Sequence, residues 1–478
     1  MKKYSWQIGL CLCWIALFVF TGLVFSGFHF FDDHEVFSIL KELDTKSVSQ
    51  VANEYLNNDL NYRFRPFYFP YRVLLISTFG ENFIAYYLHN LVVCTLASLC
   101  LFGFAKRLNF DSLQAACFAI LPLSGMAFAV FYRLGVNETT GILFLSIGLY
   151  LLALKNKWGA FLGFVAASFC KESFVLLLPG LVLLALYLEN GFKTKILFFD
   201  FLKKNFIFIA LMAIVFLAEI YIIIFKVGTN KIGYAGAPTQ LNTALLISFL
   251  KSCTRLFVMN NAFVLLPLFL LWKFKFKQIL KHWDSGFILA ILLLPQLLLY
   301  AKSGMYERYL LPSTLVLALA VLFASRALKS TIWVLYFMVL SSLGMAFYQA
   351  RKYANVGYEV NTFLRKISES TTEKSAILVV GQPYTNGEWM LSMNRFLSHK
   401  THLRSNSVYK VLPEKGNFEL GSLKLPVYNF KQAKGDFQQE SFELLVTQKE
   451  NLPNIKKQNP AINWTIVFEG EEYVALKK

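Results

Sequence analysis

The sequence predicts a polytopic α-helical membrane protein of about eleven spans, followed by a small C-terminal α/β domain. Three observations carry this expectation. Hydrophobic residues make up 56% of the 478, with a mean hydropathy of +0.49, more apolar surface than a soluble domain of this length can hide. They fall in runs close to the ~20 residues a helix needs to cross a bilayer, not in amphipathic stripes. Beyond residue 350 the texture changes to polar, charged sequence with short β-like segments.

The first run, Ile8 to Phe28, follows Lys2 and Lys3. It is too long for a signal-peptide core and no A-x-A-like site ends it, so it reads as a retained first span entering from the cytoplasm. Residues 29–82 form a long external loop, polar to amphipathic. Within it, Phe67 to Phe79 is too short to span and begins after Pro66, a plausible first helical residue, so it reads as an interfacial helix. Further spans are expected at 83–105, 112–132, 138–154, 205–225, 256–272, 286–301, 309–325 and 331–349, with two shorter runs flanking the CKES stretch at 170–173. Basic residues cluster at one set of turns, as in WKFKFKQILK and SRALKS, and are isolated at the other, which orients the chain. An odd number of spans puts the tail, 351–478, on the side of the 29–82 loop. In it Ala376–Val380, Phe442–Thr447, Trp464–Phe468 and Tyr473–Leu476 read as strands, and Val360–Ser368 and Glu388–His399 as helices.

The net charge of +18 does not indicate a nucleic-acid partner, because the basic residues sit in loops where membrane topology accounts for them. The seven cysteines lie almost entirely within apolar runs and read as small buried hydrophobes.

Four groups of charged residues carry chemistry. The stretch FHFFDDHEVF concentrates Asp32, Asp33, His34 and Glu35 where the first span leaves the bilayer. Such carboxylates can accept a proton from a hydroxyl, ligate a divalent cation (Mg or Mn, between Asp33 and Glu35), or simply form a solvated cap. Arg63, Arg65 and Arg72 flank the interfacial helix, and Arg133, Lys171, Lys302 and Arg308 reach the same side; such cations suit a phosphate, or lipid headgroups. Lys171-Glu172 lies between two apolar runs, where a lipid-facing charge would cost on the order of 3 kcal/mol, a cost largely absent at an external turn. Glu219 lies inside an apolar run with Lys251 and Arg255 as candidate partners, and His89 reads as a packing residue near the outer end of its span.

Taken in order, DDHE, RFRPFYFPYRVL, YLHNLVV, the run FAILPLSGMAFAVFYRLGVNETTG, CKESFVLLLPG and ERYLLPS resemble the GT-C superfamily of membrane glycosyltransferases, which includes protein O-mannosyltransferases and bacterial aminoarabinose transferases. The resemblance covers about residues 8–350. It implies an integral protein of the bacterial inner membrane that transfers a sugar, with inversion, from a polyprenyl-phosphate donor to a hydroxyl of a lipid, glycan or protein acceptor on the extracytoplasmic face. It implies Asp33 or Asp32 as the base, with Arg65, Lys171 and Arg308 at the donor phosphate. Glu35, Arg63, Arg133, Glu172 and His89 are supporting candidates, and Glu35 stays open as the base itself. The chain departs from the family where an expected His-Pro reads Leu121-Pro122, and it has no tetratricopeptide repeats. A transporter or flippase of lipid-linked sugars is the main alternative, but no internal repeat is visible and the charges gather on one side. A glycan polymerase or ligase would carry its long loop between late spans.

Overall fold

A computed structural model describes residues 4–31, 33, 35–189, 203–228, 243–259, 283–299, 307–327, 331–371, 376–381, 388–400, 408–411, 431–432 and 442–478. Apolar helices dominate up to residue 370, and a mixed sheet follows. Among the described residues three helices are long and apolar enough to cross a membrane: Phe83–Arg107, Phe206–Gly228 and Ile332–Ser370. A fourth crossing is counted if the pair Ser112–Leu123 and Gly125–Tyr132, bent by 64°, forms one span. The remaining apolar helices found there, such as Ser5–Phe20, Glu138–Ala153 and Leu311–Arg326, are 10–17 residues long. Of the eleven spans expected, most of the one at 256–272 lies outside the described residues. The bend follows from local sequence. Pro122 lies in a 3-10 turn, Leu121–Leu123, and Gly125 has φ of 64°, which breaks the regular ladder.

Two ends of this bundle are recognisable from contacts. At one, Gln114 reaches Ser325 (3.3 Å), Arg326 covers the Phe110 ring, and Lys157 pairs with Glu189. Lys106 and Arg107 close the last turn of their helix there, where cations favour the helix dipole. Glu138–Ala153 and Lys157–Ser168 run back and forth between the ends and pack backbone to backbone. A Cβ on Gly163 would lie 2.8 Å from the Gly148 Cα, so both positions need the small residue for this approach.

At the other end the 29–82 region is not a loop but three helices, Glu35–Leu43, Val48–Leu60 and Tyr68–Phe79. The second begins with a capping box, Ser47 with Gln50. The third starts one residue after its N-cap Phe67, so Pro66 precedes the helix. Val36, Ile39, Val51, Val73, Ile76 and Tyr86 bury a small core of their own between these helices and the Phe83–Arg107 helix.

Helix Thr331–Ser370 runs for 40 residues, roughly 60 Å at ~1.5 Å per residue, about twice the hydrocarbon thickness of a bilayer. The helix expected at 360–368 is its outer end. The sheet that follows has the order β3-β2-β1-β4-β6-β5, with β1 Ile377–Gly381, β2 Val408–Val411, β3 Lys431–Gln432, β4 Leu444–Gln448, β5 Thr465–Glu469 and β6 Tyr473–Lys477. The first four are parallel to one another, and β6 runs antiparallel to β4 and β5. All four expected strands are present within two residues of their expected starts. β2, β3 and the helix Leu452–Gln458 were not anticipated.

Candidate active site

The site gathers at the bundle end that carries the three short helices, around the segment Arg133–Glu138 that joins Tyr132 to the Glu138–Ala153 helix. Asp33 is fully buried. Its Oδ2 accepts the backbone N–H of His29 (3.1 Å) and its Oδ1 that of Leu134 (3.3 Å), contacts that favour the ionised carboxylate. The carbonyl of the same Leu134 peptide accepts from Arg72, and the next carbonyl, Gly135, accepts from the Tyr68 hydroxyl (2.8 Å). Glu35 opens its helix, lies 3.4 Å from Arg72 Nε and 3.2 Å from the Tyr68 hydroxyl, and is thereby part of the same grip. Asp32 and His34 lie outside the described residues.

Asp33 and Glu35 do not fit a shared divalent cation. Asp33 faces two N–H donors and Glu35 faces a guanidinium, so the surroundings already carry the positive partners a metal would supply. No group of three or more His, Cys, Asp or Glu side chains suited to a metal occurs among the described residues.

Glu138, at the far end of the segment, is 1% exposed and pairs with Lys171, itself 5% exposed. The lysine sits at the turn between Lys157–Ser168 and the short helix Glu172–Val175, outside the spanning segments. Its ammonium lies 4.1 Å from the centre of the Tyr309 ring, and the Arg308 guanidinium approaches the same ring at 5.2 Å. Burial pulls the Lys171 pKa down to about 8 and Arg308 adds to that, against the opposing pull of Glu138. The expectation that an external turn relieves Lys171 of its desolvation cost is therefore corrected: the turn is buried and Glu138 supplies the compensating charge. Asn137 ties the segment to that turn by donating to the Cys170 carbonyl (2.8 Å). Glu138 lies four positions after Leu134, so the Asp33 and Lys171 anchor points are at most about 14 Å apart along the chain.

Arg65, expected at the donor phosphate, is held by a carboxylate. Its fork is spent on Asp59, with Nε 3.0 Å from Oδ2 and the second arm on Oδ1, over the Tyr68 and Phe69 rings. Arg63 is half-buried beside the same carboxylate. Glu172 accepts the Phe64 N–H (3.3 Å) and the Phe67 N–H meets the Phe169 carbonyl (3.2 Å), so the RFRP loop is docked on the CKES turn. Arg133 is half-buried next to His29, whose imidazole is held neutral, with a pKa of about 3, by burial and by that guanidinium. His89 is a packing residue. Its Nε2 meets the Tyr71 hydroxyl (2.5 Å), its Nδ1 the Asn90 oxygen (3.2 Å), and Asn90 donates onward to the Phe131 carbonyl. Glu219 is bonded to Ser168 (2.7 Å); Lys251 is exposed, and the Arg255 side chain and Lys302 lie outside the described residues.

Glu138, Tyr68, Tyr309 and Asp59 were not singled out in the sequence. For Glu138 a signal existed: an acid opening the apolar run TTGILFLSIGLYLLAL, five positions after Arg133.

The fold and site define a centre with a buried acid, Asp33, on one side and buried Lys171 with half-buried Arg308 on the other, an arrangement able to accept a proton and hold an anion. Among solved structures the chain is similar to ArnT from Cupriavidus metallidurans bound to undecaprenyl phosphate, at 11% identity and a TM-score of 0.45, over 87% of this chain and 88% of that one. It is similar also to the same protein in the apo state, at 11% identity and a TM-score of 0.43 over the same shares. Neither likeness assigns a role to a residue of this chain. No protein-family model and no curated protein matches it.

Proposed function

We propose that the protein is a glycosyltransferase that moves a sugar from a polyprenyl-phosphate donor to an acceptor hydroxyl, with inversion, at the extracytoplasmic face of a bacterial inner membrane. The observation that carries this reading is the joining of Asp33 and the Lys171–Glu138 pair by one short segment, with both charges buried. Asp33 takes the proton from the acceptor hydroxyl as that oxygen bonds to the anomeric carbon. The bond from that carbon to the phosphate oxygen breaks, and its electron pair leaves with the lipid phosphate. Lys171 and Arg308, both at the Tyr309 ring, stabilise the charge gathering there; preorganised cations do this with little reorganisation. Arg65 holds the loop through Asp59 and acts as a positioning residue. The clustering of Lys106, Arg107, Lys155, Lys157 and Arg326 at the opposite end supports an extracytoplasmic site by the positive-inside rule. The motif order described from the sequence agrees with the same reaction.

The test is transfer from a polyprenyl-phosphate sugar by purified protein in lipid. Asp33→Asn should lower kcat by roughly 100- to 10,000-fold, the range for losing a positioned base, while the donor KM holds. Transfer at the wild-type rate by Asp33→Asn would sink the assignment.

A further inference from the structure

The segment that carries Asp33 is built into the core of the C-terminal unit rather than that of the helix bundle. Phe28, Phe30 and Phe37 are buried with Trp389, Met393 and Tyr473, in a cluster separate from the main bundle core. The Phe30 ring meets Tyr473 at 5.1 Å, and the Phe28 ring meets Phe396 at 6.0 Å. The Phe30 carbonyl accepts from Ser392, a fully buried residue of the helix Glu388–Lys400. From the outer part of the long helix, Asn361 donates to the carbonyls of Ser26 (2.9 Å) and Phe28 (3.0 Å) and accepts the Phe28 N–H (3.2 Å). Gly27, with φ of 75°, allows this approach, since a Cβ there would lie 2.5 Å from the Asn361 amide nitrogen. His29 sits between the two clamped residues, its ring stacked on Tyr353 at 3.7 Å, and its N–H is one of those that hold Asp33.

We infer that the C-terminal α/β unit positions the base: through Ser392 and Phe396, with Asn361, it fixes the 28–30 peptides and so the His29 N–H that orients Asp33. This rests on the role of Asp33 proposed above. Its described residues act through the segment they enclose. A carboxylate whose orienting donor is loose still ionises, but it meets the acceptor hydroxyl in the reactive geometry less often, so the effect falls on turnover and not on donor binding.

The experiment uses the full chain in lipid with Ser392→Ala, which removes one donor and no bulk. The expected result is a kcat lower by roughly 10- to 100-fold with the KM for the polyprenyl-phosphate sugar within twofold of wild type. Amide hydrogen exchange should quicken in peptides covering 26–33 and stay unchanged in peptides from 83–107. Phe396→Leu serves as the second variant, with the same expected pattern, and decides the matter if Ser392→Ala does not accumulate. Unchanged exchange over 26–33 overturns the clamp. Faster exchange there with unaltered kcat, or a change confined to KM, overturns its action through Asp33. A wild-type protein that transfers no sugar would instead overturn the proposed reaction, and the exchange result would still decide whether the unit holds the segment.

Discussion

Replacing Lys171 by Met and Glu138 by Leu, singly and together, separates what this pair does for folding from what it does for the site. Both groups are almost wholly buried, at 5% and 1% exposure. Lys171→Met leaves Glu138 ionised in a dry pocket with Arg308 as the remaining nearby cation, and breaking a buried pair from one side typically costs about 3–5 kcal/mol. Glu138→Leu is the milder single change. With its pKa already near 8, Lys171 can shed its proton when its partner goes, so the loss should fall at or below the lower end of that range. The double variant leaves no charge stranded. Apolar replacement of a buried pair is often neutral or stabilising, and the lost contact with the Tyr309 ring is worth about 0.5–2 kcal/mol, so the double variant should lie within about 2 kcal/mol of wild type. The assay is the half-life of the detergent-solubilised protein at a fixed elevated temperature, read beside sugar transfer. A 3 kcal/mol loss expressed wholly in unfolding shortens that half-life by roughly 150-fold. Transfer should be lost in Lys171→Met and should stay lost in the double variant although stability returns. A stable double variant that transfers sugar at the wild-type rate would refute the phosphate role of Lys171. A Lys171→Met protein as long-lived as the double variant would refute the pair's part in folding.

Activity and stability should respond to alkaline pH in opposite directions. Burial sets the Lys171 pKa at about 8, below its ordinary 10.5, so kcat/KM for the lipid donor should fall as pH rises through about 8, and Lys171→Arg should move that limb upward. Between those two values the unfolded chain holds the proton more tightly than the folded one, so the penalty present below pH 8 is relieved as pH climbs towards 10.5 and this group's contribution to stability rises; rate and thermal half-life against pH measure the two. Arg65→Ala should destabilise by about 3–5 kcal/mol by stranding Asp59, whereas Arg65→Ala with Asp59→Ala should recover most of that and keep the donor KM within a few-fold, as measured by the same half-life and transfer assays.

Much of this architecture is legible in the residues, and the parts that are not share a physical cause. Apolar runs gave the Phe83–Arg107 and Phe206–Tyr221 helices to within a few residues, because length and hydropathy are local properties. The strands around Leu378, Leu445 and Val474 were likewise visible as short apolar stretches bounded by polar ones. The partners of the charged residues were not. Lys171 finds Glu138 thirty-three positions earlier because two helices pack glycine against glycine, a relation no spacing rule reports. Asp59 lies only six residues before Arg65, yet it was overlooked among the polar residues of 48–60, whose capping box at Ser47 and Gln50 was the readable sign of a helix. Polarity changes near residue 350 while the helix itself does not end until Ser370, which composition alone does not reveal.

The Leu134 peptide has its N–H on Asp33 and its carbonyl on Arg72, and four residues later Glu138 meets Lys171. The segment between them thus works as a ruler with charges fastened at both ends. Its length is a quantity that substitution leaves untouched but insertion does not. One added residue would lengthen the reach by up to about 3.5 Å, more than the margin within which a proton acceptor and a phosphate holder can serve a single sugar. This chain should therefore tolerate changes of side chain at Val136 far better than any change in the number of residues from Leu134 to Glu138.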